Sequence, residues 1–299
     1  MRVFVTGATG FIGSAVVREL INAGHQVVGL ARSDKAAAAL TAAGAAVHRG
    51  GLDDPGSLRS GAAAADGVIH LAFKHDFSDY AGAVTADLLA VETIGAALEG
   101  SGKPFVITSG TLILSLLLPP GQFGTEETVA GAELPRGGSE SVVMALAERG
   151  VRTSVVRLSP SVHGEGDKGF VPRLIAIARD KGVSAYIGDG SNRWPAVHRL
   201  DAARLFRLAL EAAPAGSRLH GVGDECVTFR DIAGVIGRHL SLPVVSISSE
   251  EADAHFGFLG AIAALDNPTS SALTQERLGW RPVHPTLISD LEEGHYFKN

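Results

Sequence analysis

The first residues of the chain constrain its fold more than any other segment. Arg2–Thr6 is a β-branched run long enough only for a strand, and the turn Gly7-Ala8-Thr9-Gly10-Phe11-Ile12-Gly13 follows it directly. Over residues 11–21 apolar side chains recur at helical spacing, and Gly24 supplies a stop signal. A strand, a glycine-rich turn and a helix in this order place backbone N–H groups against a pyrophosphate. This segment therefore predicts a dinucleotide site.

Strand-like and helical stretches then alternate as far as residue 158. The predicted strands cover residues 25–30, 46–48, 67–71, 104–108 and 151–158, and the predicted helices cover residues 34–43, 81–98 and 139–149. Strands separated by helices predict a parallel sheet with right-handed crossovers. We therefore expect an α/β fold with a doubly wound parallel sheet, the Rossmann architecture, and a smaller C-terminal substrate lobe.

The alternation becomes irregular after Ser159. Glycine-rich loops at 163–169 and 188–192 are interleaved with predicted helices at 171–179 and 201–212, and a βα pair follows at 218–222 and 228–239. We predict a dinucleotide-binding domain over residues 1–160 and a mainly substrate-binding lobe over residues 161–299. The chain is expected to return to the main sheet around residues 195–225.

Composition narrows the class of partner. A net charge of −6 argues against nucleic acid, which requires a basic face. A single cysteine, Cys226, excludes an intramolecular disulfide and a thiolate cluster, and we expect no metal. The most apolar run, residues 112–118, is far shorter than the ~20 residues of a membrane span, so we expect a buried or interfacial loop there. No export signal is expected, and the chain is predicted to be cytoplasmic.

The end of the second strand distinguishes NADP from NAD. An acidic residue here binds the ribose hydroxyls of NAD, whereas an arginine accepts the 2′-phosphate of NADP. The sequence reads Ala31-Arg32-Ser33-Asp34-Lys35. Arg32, with Ser33 as a further donor, favours NADP as the cofactor and leaves NAD possible. We expect Asp34 to cap the helix that follows.

With these residues in view, the chain resembles the short-chain dehydrogenase/reductase superfamily, specifically its extended branch of NAD(P)-dependent epimerase/dehydratase-like proteins. Thr6 to Gly13 matches that branch's TGxxGxxG motif. Leu52 and Asp53 resemble its adenine-side segment, with the aspartate displaced. His70-Leu71-Ala72 resembles the strand end beneath the nicotinamide ribose. The resemblance implies cofactor contacts at Leu52, Asp53, Leu71, Ala72 and Thr108, a small-molecule substrate and, by analogy, a possible homodimer.

At the catalytic positions the sequence differs from the pattern of that family. The superfamily uses a Ser or Thr after strand five, together with a YxxxK pair that protonates the substrate oxygen. None of the three tyrosines, Tyr80, Tyr186 and Tyr296, has a lysine four residues later. Arg136 stands where the tyrosine is expected and Glu140 where the lysine is expected. The usual proton donor is therefore missing.

Other side chains are candidates for that chemistry. Ser109 or Thr111, beside the aligned catalytic hydroxyl, can hydrogen-bond a carbonyl oxygen, although such hydroxyls equally often bond local backbone. His75 or Tyr80, after strand four, can replace the missing acid. The alternative is a polar loop that opens the long helix, with Ser78 or Asp79 as its cap.

Three positions in the C-terminal lobe are candidate substrate contacts. His163 begins a glycine-rich loop that can contact substrate. Trp194 covers the mouth of the site or, equally, packs in the core. His198 precedes a helix that we expect Asp201 to cap.

These features support three hypotheses in order of rank. The first is an NADPH-dependent reductase of a small carbonyl or imine, with a non-standard proton donor. The second is a cofactor-sensing protein without turnover, because the Tyr/Lys pair is absent. The third, a nucleotide-sugar epimerase or dehydratase, follows from fold resemblance alone and needs the missing tyrosine most.

Overall fold

A computed structural model describes residues 1–75 and 79–298. The strands within these ranges are β1 (Arg2–Thr6), β2 (Gln26–Ala31), β3 (Ala46–Arg49), β4 (Gly67–His70), β5 (Pro104–Gly110), β6 (Arg152–Leu158), β7 (Ser161–His163), β8 (Ser184–Ile187), β9 (Arg193–His198), β10 (Ser217–Gly221), β11 (Asp224–Thr228) and β12 (Val244–Ile247). The α-helices are α1 (Phe11–Asn22), α2 (Asp34–Ala42), α3 (Pro55–Ala63), α4 (Tyr80–Leu98), α5 (Leu112–Ser115), α6 (Gly137–Glu148), α7 (Phe170–Lys181), α8 (Arg199–Ala212), α9 (Phe229–Leu240), α10 (Ala252–Phe256), α11 (Gly260–Ala263), α12 (Ala272–Leu278) and α13 (Leu287–Glu292). Two 3₁₀ turns, Gly257–Leu259 and His295–Phe297, complete the described elements.

A seven-stranded sheet with the order β10-β6-β5-β4-β1-β2-β3 forms the centre of the molecule. Every pairing within it is parallel. The predicted doubly wound α/β fold is therefore confirmed. The strand order reverses between β1 and β4, and ligands of open α/β sheets bind at the carboxyl ends of the strands beside such a reversal.

Helices cover both faces of this sheet. On one face, α1 and α8 bury Leu20 and Phe206 in a shared cluster with Val5 of β1. On the other face, α3, α4 and α6 bury a second cluster that includes Ile94 and Leu146. The central strands β1, β2 and β4 are covered on both faces and are mostly apolar, as is typical of parallel sheets.

Helix α4 is the one described helix long and apolar enough to cross a membrane by length and composition, with a mean hydropathy of 1.4. Its Ala90, Val91 and Ile94 are fully buried in the core cluster under the sheet. It also carries the buried Asp87. A core helix of a folded domain meets the same criterion, so α4 is weak evidence for a membrane span.

The C-terminal lobe has two small sheets, β11-β9-β7 and β12-β8, and its own apolar cluster. Strand β10 lies beside β6 at the end of the large sheet. The division of the chain at residue 160 stays a prediction.

The structure changes the assignment of two helix caps and agrees with one predicted alternative for a third. Ser33, not Asp34, caps α2 by accepting a hydrogen bond from Ala36 N at 3.2 Å. His198, not Asp201, caps α8, because its ring nitrogen accepts from Leu200 N at 3.3 Å. Asp79 caps α4 as one alternative predicted, and Ser78 lies outside the described residues.

Two segments differ from the sequence-based prediction. Helix α3 was not predicted, since its residues are mostly small and show little apolar periodicity. Residues 112–118 were expected to form a loop but begin with the short helix α5. Ile113 and Leu114 are buried in it, whereas Leu116 and Leu117 after it are exposed.

Candidate functional site

The glycine turn is packed so tightly that side chains are excluded. Gly7 has a left-handed φ of 67°, and a Cβ on it would lie 2.7 Å from Ala72 N. A Cβ on Gly13 would lie 2.0 Å from Gly7 O, an impossible approach. Gly10 N donates to Gly7 O at 3.0 Å and closes the turn. The turn therefore holds the first helix directly against the ends of β1 and β4.

The N-terminus of α1 is prepared for an anion. Gly10 caps this helix without any side-chain hydrogen bond, so the N–H groups of its first turn have no side-chain acceptor. The dipole of a 12-residue helix adds partial positive charge there. The Arg199 guanidinium lies 5.1 Å from the Phe11 ring centroid and brings a cation to the same place. These features fit a dinucleotide pyrophosphate.

Arg32 lies directly after β2 and is exposed. Among the described residues, no carboxylate lies within ion-pair distance of it, and Asp34 instead pairs with Arg49 at 2.6 Å. Asp34, the acidic residue closest to Arg32 in the sequence, is therefore paired with a different arginine. Ser33 Oγ accepts from the helix that it caps, and its hydroxyl proton can still be donated.

The adenine-side residues follow β3 and the ribose-side residues follow β4, and both lie at the carboxyl edge of the large sheet. Leu52 is partly buried against the second core cluster, and Asp53 pairs with Lys74 at 2.5 Å. Leu71 N donates to Thr6 O at 3.3 Å, and Ala72 N donates to Thr6 Oγ1 at 3.2 Å. The loop after β4 is thereby fixed beside the glycine turn.

The hydroxyl groups at the end of β5 have different partners. Thr108 Oγ1 donates to His70 O at 2.9 Å. Thr111 is fully buried and exchanges two 2.9 Å hydrogen bonds with Asn267, so its hydroxyl is structural. Ser109 is 3% exposed, and its Oγ has no partner among the described residues. Of the two predicted hydroxyl groups, only that of Ser109 is free to hydrogen-bond a ligand among the described contacts.

Arg136, at the expected tyrosine position, is anchored by a buried network. Its NH2 donates to Thr108 O and, at 3.1 Å, to Asp87 Oδ1. Asp87 also accepts from Ser139 Oγ at 2.7 Å, and His70 Nε2 lies 3.4 Å from it. Burial alone would raise the pKa of the Asp87 carboxyl, but Arg136, His70 and Ser139 outweigh it and hold that pKa below its usual value. Asp87 is therefore ionised and paired with Arg136.

Glu140, at the expected lysine position, forms a second buried ion pair. Arg157 of β6 binds both of its carboxylate oxygens, at 3.0 and 2.6 Å. The same guanidinium donates to Thr128 O at 2.9 Å and lies 3.5 Å from His220 Nε2. Both partners are almost fully buried. At the position where the family has its lysine, this chain therefore has Glu140, whose charge is neutralised by Arg157.

His75 and Tyr80 do not have the pKa shifts that a proton donor needs. Partial desolvation lowers the pKa of His75, which is exposed at the surface, and Arg136 and Arg173 lower it further, while a hydrogen bond with the Phe73 backbone opposes this shift. Burial raises the pKa of Tyr80, although Arg136 partly opposes this shift. The superfamily's device works in the opposite direction, because its lysine lowers the tyrosine pKa. Neither residue is tuned as a strong acid.

The candidate residues of the C-terminal lobe are largely internal. Trp194 is fully buried against Phe170 and Phe229, so it belongs to the core and does not cover the mouth. His163 is buried and its Nδ1 pairs with Asp290 at 2.8 Å. The His198 ring packs edge-on to His163 at 5.4 Å, and burial with neighbouring histidines lowers its pKa to about 4.

Sequence reasoning missed the residues that hold the site together. Asp87, Ser139, Arg157 and Asn267 were not singled out, because each pairs with a group far away in the chain. Asp87 alone had a usable signal, since it is a single acid in the first three turns of a strongly apolar helix. A buried carboxylate there needs a cationic partner.

The fold and the glycine turn define an NAD(P)-binding protein of the short-chain dehydrogenase/reductase type. Residues 3–127 match the model of the NAD dependent epimerase/dehydratase family. An uncharacterized protein of Schizosaccharomyces pombe is 53% identical over 298 residues, which cover 99% of this chain and 100% of that protein. The 2-alkyl-3-oxoalkanoate reductase of Stenotrophomonas maltophilia is 29% identical over 229 residues, covering 74% of this chain and 68% of that enzyme.

The solved structures agree on the fold. A double mutant of DesIV, the dTDP-glucose 4,6-dehydratase of Streptomyces venezuelae with NAD and DAU bound, matches with a TM-score of 0.77. The two sequences are 22% identical, and the match covers 100% of this chain and 98% of that one. The chain belongs to the NAD-dependent epimerase/dehydratase family, within the extended branch of the short-chain dehydrogenases/reductases. Members of this family are usually enzymes.

Proposed function

We propose that this protein is an NADPH-dependent reductase of a small carbonyl or imine compound. The observation that carries the proposal is the glycine turn with exposed Arg32 at the end of β2, which no described carboxylate neutralises. The similarity to a 2-alkyl-3-oxoalkanoate reductase supports a carbonyl substrate.

The residues of this chain divide the work of binding the cofactor. The backbone of the glycine turn and the α1 N-terminus would hold the pyrophosphate, Arg32 and Ser33 the 2′-phosphate, and the loop after β4 the nicotinamide ribose. Bound NADPH supplies a hydride. The protein then has to orient the acceptor, exclude water and stabilise the charge that develops on the substrate heteroatom.

A second candidate function is a cofactor sensor without turnover. It is favoured by the engagement of Arg136 and Glu140 in buried ion pairs at both positions of the missing catalytic pair. Such a protein would bind NADPH with the same residues and reduce nothing.

We further propose that the protein acts in the cytoplasm and forms a homodimer, with the region of α6 at the interface. Both statements extend what is usual for the family to this chain. Sedimentation of the purified protein tests the dimer, and a monomer at all concentrations would exclude it.

One experiment separates the two functions. The purified protein is incubated with NADPH and a panel of small ketones, 3-oxo acids, aldehydes and imines, and the loss of NADPH absorbance is followed. The reductase predicts oxidation with at least one compound class and none without substrate. Tight NADPH binding with no oxidation across the panel would favour the sensor.

A further inference from the structure

Arg136 has an unusual backbone conformation. It precedes α6 with a φ of 63°, and Ser241 is the only other non-glycine residue with positive φ in the described ranges. For a residue with a side chain this conformation is unfavourable. The cost is offset by the contacts of the guanidinium, which bonds to Asp87 and Thr108 O and stacks 4.6 Å from the Phe73 ring centroid. The arginine is therefore held in one place from three sides.

The guanidinium of Arg136 still has N–H groups that can be donated to another acceptor. Arginine has five N–H groups, and the contacts to Asp87 and Thr108 both use NH2. Its Nε is buried and has no hydrogen-bond partner among the described residues. A buried donor without an acceptor is destabilising. An oxygen atom that entered the site would remove that cost.

Ser109 presents a second such donor at the same strand end. It follows Thr108, whose carbonyl binds Arg136. Side chains alternate along a strand, so Ser109 faces the same side of the sheet as Phe105 and Ile107. Those two side chains pack in the cluster formed with α4 and α6, the helices that carry or adjoin Asp87 and Arg136. The unpartnered Ser109 Oγ and Arg136 Nε therefore lie on one face, at the carboxyl end of β5.

We propose that Arg136 and Ser109 bind the negatively charged oxygen that develops on the substrate, and that Arg136 takes this role from the missing tyrosine. The inference rests on the proposed reductase function. Hydride addition to the carbonyl carbon moves the C–O π electron pair onto oxygen, and the two residues stabilise that oxyanion. Arginine stays charged at all relevant pH values, so the proton comes from water and not from Arg136.

An arginine that binds the oxyanion should give a different pH dependence of kcat from a catalytic tyrosine. An enzyme that uses tyrosine as its acid loses activity as that tyrosine ionises. An oxyanion site built on arginine has no titrating donor, so kcat should stay flat from about pH 6 to pH 10. Arg136→Gln should lower kcat about a hundredfold and change KM little, because the interaction is made mainly in the transition state.

A binding measurement tests the site without turnover. Hexanoate carries a carboxylate oxygen that imitates the oxyanion, and hexanamide is its neutral counterpart. Each is titrated calorimetrically into the full chain, with and without NADP⁺. The wild type is expected to prefer hexanoate about tenfold, and Arg136→Gln should abolish this preference. Ser109→Ala should weaken hexanoate binding less.

Two further variants serve as controls for the loss of hexanoate preference. Arg218→Gln removes another arginine whose Nε is buried and unpartnered, on β10, and should leave the preference intact. The double variant Asp87→Asn with Arg136→Gln removes both charges of the pair, so a loss of preference in a folded protein cannot be assigned to an unpaired Asp87.

The outcomes separate the two proposals. Equal binding of hexanoate and hexanamide by the wild type, or an unchanged preference in Arg136→Gln, would overturn the role of Arg136. Failure of NADPH to bind would overturn the reductase proposal, whereas hexanoate binding to the cofactor-free chain would still report on Arg136.

Discussion

Arg32 is the residue on which the cofactor preference depends. Arg32→Asp removes the cation that would meet the 2′-phosphate and places a carboxylate beside it. A hydrogen bond to a charged group is worth about 1.5–3 kcal/mol, so NADPH affinity should fall roughly tenfold to a hundredfold while NADH affinity is kept or improved. Titration calorimetry measures both. Arg18→Asp, on an exposed part of α1, is the matched control, and equal losses in the two variants would assign the effect to net charge.

Gly13 tests the geometry of the turn. A Cβ at this position would meet Gly7 O at 2.0 Å, so Gly13→Ala must open the turn. We expect a loss of about 1–3 kcal/mol in the free energy of unfolding and loss of NADPH binding. Gly234→Ala in α9 is the control, because its nearest neighbour is the Arg238 side chain at 3.6 Å. That change should be neutral or stabilise by about 0.5–1 kcal/mol. An unchanged NADPH affinity in Gly13→Ala would refute the assigned turn.

At the scale of elements, the Glu140–Arg157 pair joins α6 to β6 inside the core. Glu140→Gln leaves the Arg157 charge buried without its counter-ion and should cost about 3–5 kcal/mol. Glu140→Lys, the family's residue, should cost more, since two cations would then be buried together. The double variant Glu140→Leu with Arg157→Met should lose much less than the sum of its single changes.

Urea unfolding measures these costs. Glu99→Gln is the control, because Glu99 belongs to an exposed pair with Arg149 at 3.4 Å, which contributes at most about 1 kcal/mol. Equal destabilisation by Glu140→Gln and Glu99→Gln would show that the buried pair is not integral to the fold.

The elements of the large sheet could be predicted because their signals are local. β1, β2 and β4 are short apolar runs bounded by turn residues, and the helix that became α1 has a clear apolar face. The strands of the C-terminal lobe are mostly no shorter, but several of them, such as β7 and β11, mix polar or charged residues with apolar ones, so no apolar run identifies them. The cofactor turn was predictable for the same local reason.

The catalytic half was not predictable in the same way. The departure from YxxxK was evident at Arg136 and Glu140, but their partners Asp87 and Arg157 lie 49 and 17 residues away along the chain. Spacing alone does not reveal such pairs. The structure was needed to show that Thr111 is held by Asn267 and that Ser109 Oγ has no described partner.

At the scale of the whole molecule, the buried His220 and the partly buried His198 make stability depend on pH. Burial, chiefly, lowers the pKa of His198 to about 4 and that of His220 to about 3. Both have a pKa of about 6.5 in the unfolded chain. The unfolded state therefore binds protons first as the pH falls, so their contribution is complete above about pH 6.5 and is lost progressively down to about pH 3.

Urea midpoints at pH 7.5 and pH 5 measure this effect. His220→Gln should reduce the loss of stability between the two values. The comparison of wild type with this variant isolates His220 from Asp167 and Asp224, whose pKa values burial raises and which act in the opposite direction. An identical pH dependence in both proteins would show that His220 is not held neutral.

We propose above all that the glycine turn and Arg32 make this chain an NADP(H)-binding protein. Calorimetric titration of the purified wild-type protein with NADPH and, separately, with NADH tests it most directly. We expect one NADPH bound per chain, with an affinity at least about tenfold higher than that for NADH. No binding of either dinucleotide, or tighter binding of NADH, would contradict it.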